Sequence, residues 1–262
     1  FDGTDEYVNI GTSATWDALI GLAGTDALPY SYSLWIKPAA WVSATPGILM
    51  FGDNDRGLSM LLGSGPDDTR LYARINSGGN GRTATAGQFE QDVWQHVAVT
   101  YAGDTYSTGT DLKIYINGSE VTYASTSTGT PTAITPGADC VIGSFNPSGV
   151  KFAGNMADVA VWDKELSSAE ITEIYGAGYR VNLSNSSCQS SLLSWWKLGN
   201  GTGDSYNGTL TDEVGGRPGT PTNFDAAGDI EADSPAFSAA AEPDVALQLY
   251  LLPKEQSTPT SR

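Results

Sequence analysis

Apolar and polar residues alternate with a period of two along most of this chain. Glycine, proline, asparagine and aspartate cut the alternation into short runs. Successive side chains of a strand point to opposite faces, so such runs read as strands with one face in a core. Tyr32, Leu34 and Ile36 point one way and Ser31, Ser33, Trp35 and Lys37 the other, and Pro38 ends the run. Residues 47–51 and 58–62 are expected to be strands joined by the polar turn 52–57, and 71–75 another, closed by the turn-rich 76–81. Residues 94–101 alternate throughout and are expected to lie centrally. The clearest hairpin is 112–116 and 119–121 around Asn117-Gly118, a pair suited to the two positive-φ positions of a type I′ turn. With 31 Gly, 13 Pro and only 16% charged residues, little is left to build exposed helix faces, so the class is all-β.

One helix interrupts the strands. After the expected strand 156–162, Ser167 and Glu170 have the spacing of a capping box, and Ile171, Ile174 and Tyr175 follow on one face. Gly176 and Gly178 stop it after about two turns, so packing onto a sheet must hold it. A boundary is expected within 180–190, dividing the chain into a domain of residues 1–180 and an extended, turn-rich segment 181–262. That segment holds one strong strand, 192–198, and a second apolar run at 245–252 that is expected to add a strand, on this chain or on a partner.

Thirteen basic residues against thirty acidic ones leave a net charge of −17. Such a surface repels phosphate backbones and anionic lipid, which excludes nucleic acid as a partner and disfavours membrane surfaces. No apolar run approaches the ~20 residues of a membrane helix, and no leader is visible. The chain opens at Phe1 rather than Met, so a start outside this sequence is expected and secretion stays undecided. Cys140 and Cys188 are either a pair or two buried thiols.

Four landmarks then occur in order: Phe1-Asp2-Gly3-Thr4-Asp5-Glu6-Tyr7-Val8; Tyr32 to Pro38; Trp94 to Tyr101 with the 112–118 hairpin; and Gly154 to Trp162 running into Leu166-Ser167-Ser168-Ala169-Glu170-Ile171. Together they resemble laminin-G-like and pentraxin-like domains, which have the concanavalin A-like jelly-roll β-sandwich. The resemblance covers about 1–178 and implies that fold with one short helix and an irregular C-terminal extension. Leu193-Ser194-Trp195-Trp196-Lys197-Leu198-Gly199, with the Asp212 and Gly219-Thr220-Pro221-Thr222-Asn223-Phe224 stretches, looks like a segment that normally precedes this jelly roll, and its place here resembles bacteriophage structural proteins.

The chemistry points to binding. The one histidine, His96, sits inside an alternating strand, which suits a structural role, and neither a nucleophile elbow nor a phosphate loop occurs. The three-carboxylate strand motif of glucanases sharing this fold is absent. Its nearest imitation, Asp229-Ile230-Glu231-Ala232-Asp233, lies outside the jelly roll. Calcium is the cofactor the resemblance implies: Asp53, Asn54 and Asp55 resemble the pentraxin calcium turn. The second pentraxin loop has its counterpart in 144–151, which carries no carboxylate. Asp2 and Asp158, where first and last strands would meet, are a separate candidate pair. The alternative for each cluster is a turn in which carboxylates accept backbone N–H groups. For sugars, which need an aromatic platform beside planar polar groups, Trp41, Tyr72, Arg74, Asn76, Asn80 and Arg82 form the candidate set, with plain surface decoration as the alternative.

The expected protein is therefore no enzyme. It is a structural or adhesive component of an extracellular assembly, such as a phage virion surface (capsid decoration, fibre or tail), presenting a lectin-like jelly roll for weak glycan binding and joined to other virion or surface-assembly subunits. The alternative is a secreted calcium-dependent lectin or the accessory module of a glycoside hydrolase.

Overall fold

The computed structural model describes residues 1–21, 28–39, 45–52, 56–61, 70–75, 81–88, 90–103, 109–129, 137–199, 201, 203–225 and 235–236. Within them the alternating runs become Tyr7–Thr12 (β1), Tyr30–Pro38 (β2), Gly47–Phe51 (β3), Arg56–Leu61 (β4), Arg70–Arg74 (β5), Gly81–Ala84 (β6) and Gln95–Tyr101 (β7). Leu112–Ile116 (β8), Ser119–Glu120 (β9), Tyr123–Ser127 (β10), Asp139–Ile142 (β11), Gly154–Trp162 (β12), Leu192–Trp196 (β13) and Thr220–Thr222 (β14) follow. All pair antiparallel, in an eight-stranded sheet ordered β10-β6-β5-β4-β3-β11-β1-β14 and a six-stranded sheet ordered β13-β12-β2-β7-β8-β9.

The two sheets stack to make a β-sandwich. Val8, Leu49, Leu58, Leu71 and Ile142 of one inner face meet Leu34, Ile36, Val97, Val99 and Val159 of the other. Tyr32, Leu34 and Ile36 do share the core face, as their alternation requires. Asn117 (φ 49°) and Gly118 (φ 78°) turn the β8–β9 hairpin as expected. Cys140 and Cys188 are free and buried. Burial pushes the Cys140 thiol up to about 12, and its sulfur accepts the Gly52 N–H.

A second apolar layer lies on the outer face of the six-stranded sheet. The helix Ser168–Tyr175 (α2) covers it with Ile171 and Ile174, packed over Ala98, Tyr115, Ala160 and Trp162. Its capping box is complete: the Ser167 side chain accepts the Glu170 N–H, and Glu170 accepts the Ser167 N–H. A further short helix, Ser13–Ile20 (α1), lacks a side-chain cap and a capping-box signature. Tertiary packing forms it instead: Trp16 and Ile20 are fully buried, and the Trp16 ring packs on Phe51 and Trp196 while its N–H donates to the Ile10 carbonyl.

The segment after residue 180 closes the sandwich along one side. β13 pairs with β12 and β14 pairs with β1, one strand added to each sheet. Trp196, Leu198 and Leu210 enter the main core. Its turns are organised by carboxylates: Asp212 accepts the backbone N–H groups of Trp195, Val214, Gly215 and Arg217, and Asp204 those of Gly199, Gly201 and Thr211. The apolar run 245–252 lies outside the described residues, and among those described no helix is long and apolar enough to cross a membrane.

Candidate functional site

Trp41, Asn76 and Asn80 of the expected sugar set, and Asp53, Asn54 and Asp55 of the expected calcium turn, lie outside the described residues. So does the acidic stretch 229–233. Tyr72, Arg74 and Arg82 are described, and the register separates them. Arg74 pairs with Gly81 and Tyr72 with Thr83, whereas Arg82 pairs with Ala73, whose side chain belongs to the core. Facing pairs share a face, so Tyr72 and Arg74 stand on the outer face and Arg82 turns inward.

Arg82 seals the sandwich edge. It stacks 4.0 Å from the Tyr123 ring centroid, donates to the Leu112 carbonyl of the opposite sheet, and faces Glu120. Tyr123 in turn accepts the Ile114 N–H and donates to Glu120. Arg82 therefore leaves the candidate site and becomes a strut between sheets.

Arg74 lies between two rings, its guanidinium carbon 5.1 Å from the Tyr72 centroid and 5.0 Å from that of Phe145. Both cross-strand neighbours of Arg74 are glycines, Gly57 and Gly81, so no side chain flanks it along that row. A Cβ at Gly81 would strike the Ala73 carbonyl oxygen. Burial raises the Tyr72 pKa, and the adjacent Arg74 charge pulls it partly back. Phe145 was not in the expected set. It comes from the 144–151 loop, whose sequence signal was a lone aromatic among turn residues.

Asp2 and Asp158 are each engaged in separate contacts. Asp2 accepts the Thr4 N–H within its own turn. Asp158 sits in the bulge of β12, buried, where its two oxygens take the Arg180 fork and one also accepts the Trp195 indole N–H. Among the described residues no group of three or more His, Cys, Asp or Glu is placed to hold a metal. His96 is buried against the Trp35 and Tyr175 rings, which also meet each other, and with Ser33 and Asp158 it lines a small cavity under α2. Among the described residues its Nδ1 has no hydrogen-bond partner, and burial pushes its pKa down to about 3.

A family model described as the concanavalin A-like lectin/glucanases superfamily matches residues 2–172. The chain is similar to a solved Bacteroides ovatus protein provisionally described as carbohydrate binding, at 19% identity and a TM-score of 0.61, over 90% of this chain and 60% of that one. It is also similar to the CBM40 domain of the Ruminococcus gnavus IT-sialidase bound to α2,3-sialyllactose (17% identity, TM-score 0.43, 67% of this chain and 97% of that one). A heptameric SAP-like pentraxin of Limulus polyphemus matches at 18% identity and a TM-score of 0.42, over 67% and 83% of the two chains. The chain thus spans about 60% of the length of the Bacteroides protein. At 19% identity the likeness to the Bacteroides protein concerns the fold alone. A comparison with curated proteins finds no match.

Proposed function

Because this chain belongs to the concanavalin A-like lectin/glucanases superfamily, we propose that it is a non-catalytic carbohydrate-binding module displayed on an extracellular assembly. The observation that carries the reading is Arg74 held between Tyr72 and Phe145 on the outer face of the eight-stranded sheet. A pyranose offers adjacent hydroxyls to a planar fork of N–H donors and an apolar C–H face to an aromatic ring. This cluster carries both kinds of group beside Gly57 and Gly81, and a sugar would share the Arg74 fork with the contacts that it and Tyr72 already make.

Hydrolysis of a glycoside uses two carboxyl groups flanking the scissile bond. The described side chains of this cluster are an arginine, a tyrosine and a phenylalanine, which can hold a sugar without cleaving it. The assembly we propose is a virion surface, following the arrangement of the sequence after residue 180. There, weak single sites would gain from repetition. The same display would give it other surface subunits as partners.

The test is retention on immobilised polysaccharides by wild type, Tyr72→Ala and Arg74→Ala, with reducing-sugar release measured in parallel. Binding that falls about tenfold or more in each variant, without sugar release, supports the reading. Release of sugar, or binding indifferent to both substitutions, overturns it.

A further inference from the structure

Phe145 reaches Arg74 from a loop that has its own internal cation. Residues 144–151 leave β11 and close on themselves, with Ser144 bridged to Lys151 across the neck and the Phe145 N–H donating to the Val150 carbonyl at 3.3 Å. The Val150 carbonyl also accepts the Gly47 N–H, which ties the loop to β3. Inside the loop, the Lys151 ammonium donates to the carbonyl oxygens of Pro147 (2.8 Å) and Gly149 (3.1 Å) and stands 5.1 Å from the Tyr7 ring centroid. Lys151 is only 5% exposed. Burial draws its pKa down while the Asp5 carboxylate pulls the other way. A lysine is rarely withdrawn from water without strong partners, and here they are carbonyls converging on a positive charge.

Calcium, which the family resemblance implies, does not fit this loop. A calcium ion takes six to eight oxygens, with carboxylates prominent among them. Residues 144–151 supply no carboxylate, and two of their carbonyls already face the ammonium, whose charge would repel a divalent ion.

We propose that the Lys151 ammonium is the built-in cation of the 144–151 loop and positions Phe145 against Arg74, so that sugar binding at this rim requires no divalent metal. The second half rests on the carbohydrate reading above, and the first half does not. Lys151 is thus a positioning residue, acting on the sugar through Phe145. Gly149 serves the same end, because a Cβ there would lie 2.8 Å from the Phe145 Cβ.

Two measurements on the full chain separate the halves. Without sugar, NMR of the ¹⁵N-lysine ammonium groups and of ring-labelled phenylalanine reads the loop directly. An exchange-protected Lys151 signal, unmoved by millimolar calcium chloride or by EDTA, is expected. The Phe145 resonance should shift in Lys151→Met and return towards wild type in Lys151→Arg. With sugar, retention on the polysaccharide panel should be equal in calcium and EDTA, fall about tenfold in Lys151→Met, and recover in Lys151→Arg. Displacement of the ammonium signal by calcium, or a Phe145 resonance indifferent to Lys151→Met, overturns the proposal. A protected ammonium on a protein that binds no polysaccharide upholds the lysine-set loop and removes the carbohydrate reading instead.

Discussion

Arg180 reaches back twenty-two residues to grip Asp158 with both prongs of its guanidinium, the two side chains 1% and 6% exposed. Asp158 has a left-handed backbone (φ 50°) at the β12 bulge, which aims its carboxylate out of the strand's regular alternation. With the Trp195 indole on the same carboxylate, one side chain joins the closing strand, the chain after α2 and β13.

Removing one partner of such a pair leaves a buried charge uncompensated. Asp158→Asn should therefore cost about 3–5 kcal/mol in urea unfolding. Replacing both partners with apolar residues of similar volume should cost less than the single change, since the orphaned charge disappears too. A single-variant cost below ~1 kcal/mol would show that water reaches Arg180.

His96 predicts an acid weakness. Its pKa is pushed from 6.5 down to about 3 by burial, so below pH 6.5 the unfolded chain takes up a proton that the folded chain refuses. The contribution is complete above pH 6.5 and is lost as pH falls from there towards 3. It amounts to roughly 2 kcal/mol already gone at pH 5. Urea midpoints measured from pH 7 to 4 should drop more steeply for wild type than for His96→Gln. Parallel profiles would mean that Asp158, on the same cavity, stabilises the imidazolium.

Which of these features were legible beforehand follows from how local their signals are. The Asn117-Gly118 turn and the Ser167–Glu170 box are set by residues within four positions of one another, and both formed as read. The separation of Arg82 from Tyr72 and Arg74 was hidden, because both β5 and β6 alternate and only the register between them decides which faces coincide. α1 was hidden for a related reason: its stability comes from Trp16 packing on Phe51 and Trp196, residues remote in sequence. Phe145 and Lys151 carry no motif, and their roles come from a fold-back that brings residue 151 onto the carbonyls of 147 and 149.

Gly118 tests the hairpin and the helix together. Its φ of 78° disfavours any side chain, and a Cβ there would lie 2.8 Å from the Tyr175 ring. Gly118→Ala should destabilise by about 1–2 kcal/mol through the left-handed backbone alone. Against a Tyr175→Ala background, which accounts for the packing that ring makes on Trp35 and His96, adding Gly118→Ala should cost only the backbone part, so thermal melts of the two single variants and the double variant separate the causes.

A chain ending at Arg180 should fail to fold cooperatively, although the family match ends at residue 172. It would lose the strands that pair with β12 and β1, and Trp196, Leu198 and Leu210 would leave the main core. An aromatic side chain of ~150–250 Å² buried at ~25 cal/mol per Å² is worth about 4–6 kcal/mol, against a whole-domain stability of roughly 5–15 kcal/mol. Trp196 alone is then comparable to the margin of the fold. Trp16 would lose the ring beside it, and Asp158 the indole donor on its carboxylate. Dye binding and a broad, non-cooperative melt are expected of the shortened chain by fluorescence and calorimetry. A sharp melt near that of the full chain would mean that β13 and β14 only decorate a sandwich complete without them.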